Sequence, residues 1–131
     1  MSVTTSRVSV VEAFFEQLRA GDLPGVLKYC HPEVELIEPA GLPYGTTYHG
    51  HDGLGQLVAA VAELYEFEIH SVEAHDWGDK TVGYLEATFV SRTTGKRLDT
   101  HVVEIYTFTD GLLSSVEIFP QDTRAIYELT L

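Results

Sequence analysis

Near residue 66 the spacing of apolar residues changes from a helical repeat to alternation, and the period of two then persists to about residue 119. A chain with helices first and strands afterwards lacks the strand–helix–strand alternation that builds a doubly wound parallel sheet. It predicts an α+β fold with helices against one face of a curved antiparallel sheet. Upstream, Val8, Val11, Phe15 and Leu18 recur at helical spacing, Phe14 widens the stripe, and Gly21 stops a first helix over roughly residues 6–20. Asp22 caps a second, shorter helix that tolerates Pro24 in its first turn and is blocked by Pro32, leaving Cys30 at its end. Val34 to Glu38 alternate as a short strand, Pro39 ends it, and the stretch AGLPYG reads as a loop. A third helix starts after Asp52 and buries Leu54, Leu57, Val58, Val61 and Leu64. Four strands near residues 67–76, 81–92, 97–109 and 112–119 follow, and the turns between them, the last of them Asp110-Gly111, imply an antiparallel meander.

The 131 residues suffice for one core and not for two ordinary domains, so residues 1–131 are expected to form a single domain. With 20 acidic against 8 basic residues the formal charge is -12, which repels a phosphate backbone and an anionic lipid surface alike. Neither nucleic acid nor a membrane is therefore an expected partner. The first residues, MSVTTSRVSVVEAFFEQL, are patterned like a helix and carry no cleavage site, so no signal peptide is expected. One cysteine, Cys30, cannot form an intrachain disulfide; it is read as core, and the expected compartment is the cytoplasm.

Two glutamates stand where strands usually place apolar residues. Val34, Leu36 and Glu38 share one face of the first strand, and Val102, Glu104, Tyr106 and Phe108 share one face of a later one. If both faces look inward, two acids meet in one pocket, where burial and mutual repulsion leave one as a base and the other as a neutral hydrogen-bond donor. If instead Glu35 with Ile37, and His101 with Val103 and Ile105, look inward, both acids are solvated. Alternation alone does not choose between these.

The stretch VVEAFFEQLRAGDLPGVLKYCHPEVELIEPAG, residues 10–41, resembles the opening of ketosteroid isomerases in the turn AGD, the strand after HPEVE and the acid–proline pair. VVEIYTFTDGLLSSVEIF resembles that family's long strand, turn and last strand. The chain is thus similar to the nuclear-transport-factor-2-like superfamily, in its ketosteroid isomerase and SnoaL-like polyketide cyclase branch. That resemblance implies a cone-shaped fold on three N-terminal helices, enclosing an apolar pocket, and a homodimer through the exposed sheet face bearing His101, Val103 and Ile105. It implies Glu38 as the catalytic base, a glutamate where aspartate is more usual, and Glu104 as the neutral acid that donates to the enolate oxygen. Phe14 takes the place of the family's oxyanion tyrosine, and Phe14, Tyr106, Val116 and Ile118 would line the pocket.

The expected function is proton abstraction next to the carbonyl of a small apolar ligand, isomerase-like or cyclase-like, with no cofactor and no metal. A non-catalytic ligand-binding or dimerisation module of the same fold is the alternative, and Phe14 favours it. His49, His51, Asp52 and His31 are set aside as a metal site because no second cluster at zinc spacing accompanies them. Arg92 and Arg97 flank a hairpin turn and are expected to be exposed. Tyr44, Tyr48 and Tyr65 could rim a pocket or simply belong to core and surface.

Overall fold

The computed structural model describes residues 6–131. Helix α1, Arg7–Arg19, is capped by the Ser6 side chain, and α2, Leu23–Leu27, by that of Asp22. Strand β1 spans Cys30–Ile37 and β2 spans Thr47–His49; α3, Gly50–Leu64, leads directly into β3, Tyr65–Trp77. Strands β4, Lys80–Ser91, β5, Arg97–Thr109, and β6, Leu112–Pro120, complete the sheet, and a short α4, Thr123–Glu128, closes the chain. The fold is α+β, as the change of period predicts. No helix among the described residues is long and apolar enough to cross a membrane.

The six strands form one curved sheet in the order β2-β1-β6-β5-β4-β3. Strands β3 to β6 make the expected meander, and the Asp110-Gly111 turn takes positive φ at both residues, as a tight two-residue hairpin requires. The sheet is nevertheless mixed and not antiparallel throughout, because β1 runs parallel to β6. Three further differences from the sequence reading are local. Residues 47–49, just beyond the expected loop, pair with β1 as β2, Cys30 opens β1 instead of ending a helix, and Asp122 caps an unexpected α4.

The core lies between the helices and the inner face of the sheet. Val11, Phe14 and Phe15 from α1, Leu54 and Leu57 from α3, and Leu85, Phe89, Val102, Tyr106 and Val116 from the strands are all buried there. Of the predicted α3 stripe, Val58 is exposed, since α3 shields only part of the sheet and leaves an opening beside it. Cys30 is buried, and burial pushes its thiol up to about 12, so it packs as an inert core residue.

Gly83 in β4 holds the centre of this packing. A Cβ there would lie 2.5 Å from the Tyr106 hydroxyl and 2.9 Å from its ring. Gly83→Val is therefore expected to push Tyr106 out of place and lower stability by roughly 1–3 kcal/mol, the usual cost of overpacking. Thermal unfolding should show a melting temperature several degrees lower, with part of the loss recovered in Gly83→Val/Tyr106→Phe. An unchanged melting temperature would mean that the tyrosine has room to move.

Candidate functional site

The parallel pairing of β1 with β6 creates the site. Leu36 pairs with Val116 and Ile37 with Glu117, so Glu38, one residue on, falls beside Ile118. Ile118 in turn pairs with Glu104 of β5. Glu38, Ile118 and Glu104 thus form one row across three strands, with the two glutamate backbones two strand spacings, roughly 10 Å, apart. Both side chains point to the inner face and are buried, at 9% and 8% exposure. The inward reading of both strand faces is the one the structure adopts.

The two carboxyls line a cavity of about 480 Å³ between the sheet, α1 and α3. That volume is of the size that holds drug-like small molecules. Leu36, Leu54, Leu57, Leu85 and Val102 supply apolar walls, and Phe14, Val116 and Ile118 line the cavity as expected. Tyr106 does not line it. Its ring lies beneath the edge of Phe15, centroids 6.4 Å apart, and its hydroxyl donates a 2.9 Å hydrogen bond to Glu104 Oε1. A shared strand face sets the direction of a side chain and not its depth, so Tyr106 positions Glu104 from behind.

Electrostatics follow from this enclosure. Burial, helped by the nearby charge of Glu104, pushes Glu38 up to about 8. Burial pushes Glu104 up to about 7, opposed by the Tyr106 hydrogen bond, which favours the charged form. Near neutral pH the pair therefore holds between one and two protons. Among the described residues Glu38 Oε1 is fully buried and has no hydrogen-bond partner, which is unusual for a polar atom inside a protein. With Tyr106 on Glu104 and nothing on Glu38 Oε1, the cavity has one anchored carboxyl and one free to engage a ligand.

A model of the SnoaL-like domain matches residues 11–116. This chain belongs to the SnoaL-like domain family. Solved structures agree: a protein of unknown function with the nuclear-transport-factor-2-like fold, from Burkholderia pseudomallei, is 25% identical, with 97% of this chain and 98% of that chain covered and a TM-score of 0.87. TerC, crystallised with polyporic acid, is 27% identical over 94% of this chain and 96% of its own, with a TM-score of 0.84. A further protein of this fold, from Burkholderia xenovorans, is 25% identical over 95% of both chains at a TM-score of 0.84. No curated protein matches this SnoaL-like chain in sequence.

Of the three tyrosines that could rim a pocket, Tyr44 and Tyr65 line it and Tyr48 does not. Tyr44, in the loop after Glu38, is buried against the cavity, and among the described residues its hydroxyl makes no hydrogen bond. The loop folds back through the bond from Glu38 N–H to Thr46 C=O, which brings Tyr44 beside Glu38. The two large apolar residues Leu42 and Tyr44 between Pro39 and Gly45 are the sequence sign of it. Tyr65 also lines the cavity but donates its hydroxyl to Ile126 C=O at 2.8 Å, and Tyr48 lies outside, bonded to Tyr44 C=O at 2.7 Å. Arg97 is exposed and faces Asp99, whereas Arg92, also exposed, borders the cavity.

The histidines take separate partners. His31 Nδ1 accepts from Glu33 N–H, His49 lies 3.6 Å from Glu35, and His51 Nε2 lies 3.0 Å from Cys30 C=O. His101 is on the outer sheet face, stacked on Tyr84 and 4.0 Å from Glu86, away from Glu104.

Proposed function

We propose that this SnoaL-like protein moves a proton at the carbon next to a carbonyl of a small apolar ligand, in an isomerase-like or cyclase-like reaction that needs no cofactor. The observation that carries the reading is the cross-strand row in which Glu38 and Glu104 flank Ile118 inside one apolar cavity. A ligand between two such carboxyls can lose a proton to one and have its oxygen stabilised by the other.

Glu38 is the base and Glu104 the neutral donor. The protein environment by itself raises Glu38, to about 8, slightly more than Glu104, to about 7, a difference on the order of 1 kcal/mol. A carbonyl oxygen against Glu104 calls for a donor there, and a hydrogen bond to developing negative charge is worth roughly 1.5–3 kcal/mol. Ligand binding therefore puts the shared proton on Glu104 and the charge on Glu38. Tyr106 holds Glu104 Oε1, which leaves Oε2 to donate into the cavity. Tyr44 offers a second hydroxyl in a pocket where Phe14 has none.

The likeness to TerC, crystallised with polyporic acid, supports a small organic ligand over a macromolecule. The decisive test is proton–deuteron exchange, followed by NMR, on a panel of β,γ-unsaturated ketones and β-dicarbonyl compounds. Exchange above buffer supports the reading. A folded protein that binds members of the panel without exchanging any of them would instead be the binding module that Phe14 favours.

The chain is also expected to pair with a second copy through its outer sheet face. Tyr84, Val103 and Phe119 lie in one cross-strand row there, and Tyr84 and Phe119 are 43% and 49% exposed. An aromatic row of this kind on a sheet suits a symmetric interface. Phe119→Glu should shift the sedimentation mass from dimer to monomer; a wild-type monomer at high concentration would remove the interface.

A further inference from the structure

The exposed members of the lining mark the open end of the cavity. Arg19 from α1, Val58 and Ala62 from α3, Phe67 and Glu68 from β3, and Arg92 just after β4 all border it and are exposed, whereas Glu38 and Glu104 are buried. Two carboxyls thus lie at depth and two guanidinium groups stand at the mouth.

Cations are scarce in this chain, 8 against 20 acids, and elsewhere arginines are matched to carboxylates. Arg7 lies 3.3 Å from Asp76, Arg97 3.0 Å from Asp99 and Arg124 2.7 Å from Glu128. Among the described residues Arg19 makes no ion pair, and Arg92 comes no nearer than 3.7 Å to the exposed Glu66. Arg92 is nonetheless held in place. Its backbone N–H donates to Leu64 C=O at 2.9 Å and its Nε to Ala62 C=O at 2.5 Å, both at the end of α3. Among the described residues its terminal NH₂ groups make no hydrogen bond, only the 3.7 Å approach to Glu66, and an anchored guanidinium loses little freedom on meeting an acceptor. Glu68 is the one acid among the exposed lining residues, and it lies 3.8 Å from His70 Nδ1.

We infer that the pocket takes an amphipathic ligand, its apolar end at depth and a carboxylate-like anionic group held at the mouth by Arg19 and Arg92. The planar guanidinium matches a carboxylate with two parallel hydrogen bonds, and two such forks can hold an anion against the exposed Glu68 and Glu66. A chain of formal charge -12 would otherwise repel any anion approaching it. That the buried end carries a carbonyl rests on the proton-transfer reading; that the outer end is anionic does not.

A matched pair of fluorescent probes tests this: anilinonaphthalene sulfonate, and neutral N-phenylnaphthylamine, the same skeleton without the sulfonate. The wild type should bind the sulfonate roughly tenfold more tightly, the scale of one charge-assisted hydrogen bond. Arg19→Gln and Arg92→Gln should each remove part of that preference and the double variant all of it, with binding of the neutral probe retained as evidence of an intact pocket. Arg97→Gln, away from the cavity, should change nothing. Equal or weaker binding of the sulfonate by the wild type, a preference that survives the double variant, or failure of both probes to bind would each overturn the inference. Should Arg92→Gln unfold, Arg92→Lys keeps the charge but loses the fork, and a preference that does not fall relative to wild type counts against the proposal. Exchange on a neutral ketone by a protein with no sulfonate preference would discard the anionic group and leave the proton-transfer reading intact.

Discussion

Glu38→Gln is expected to reduce proton exchange on any responsive carbonyl compound by at least about a hundredfold, the low end of what a positioned general base contributes. The amide has the same shape and cannot accept the proton, so ligand affinity should change little and the loss should fall on kcat. In the wild type the pH profile should be bell-shaped, because only the singly ionised pair has both a base and a donor. Below about 7 both acids are protonated and no base exists; above about 8 both are ionised and the donor is lost. A Glu38→Gln variant with full activity would transfer the base role elsewhere, to Glu104 first.

Folding stability is expected to fall as pH rises from about 5 to about 9, by on the order of 5 kcal/mol from this pair alone. Both glutamates bind their protons more tightly in the folded chain than the ordinary 4.5, so between that value and about 8 the folded state holds protons the unfolded state has released. Stabilisation is complete below 4.5 and is lost as pH climbs through the folded values. A typical domain has only about 5–15 kcal/mol in total, so the loss is a large share. Glu38→Gln removes one of the two buried ionisations and most of the repulsion. The variant should therefore be more stable than the wild type in alkaline solution while being inactive, and denaturant titrations across the pH range would show it. Curves for the two proteins that run parallel from acid to alkaline pH would mean that Glu38 ionises without penalty.

Local pattern made much of this fold legible. The strict alternation in Arg97–Thr109 and the Asp110-Gly111 turn located β5 and its hairpin, and Asp22 with Pro24 located the second helix. The inward aim of Glu38 and Glu104 was readable as one of two alternatives, and the resemblance to ketosteroid isomerases chose correctly between them. The parallel pairing of β1 with β6 was not readable, because it joins segments some 80 residues apart and no local rule fixes such a contact. For the same reason the row that sets Glu38 beside Ile118 and Glu104 emerges only from the sheet register. Alternation puts Tyr106 on the right face and does not give its depth, since Phe15, which packs on it, belongs to another element. The sequence marks Arg92 only as a residue flanking a hairpin turn, and its position at the cavity comes from α3 ending beside it.

The most direct test of a proton-sharing acid pair is an NMR titration of the glutamate side-chain carboxyl carbons, with Glu38 and Glu104 assigned through their Gln variants. The expected result is two carboxyls that titrate near 7 to 8, with Glu38 shifted downward when Glu104 is replaced. Titration of both below about 5 would contradict it, for the two acids would then be solvated, fully charged at neutral pH and unable to divide the roles of base and donor.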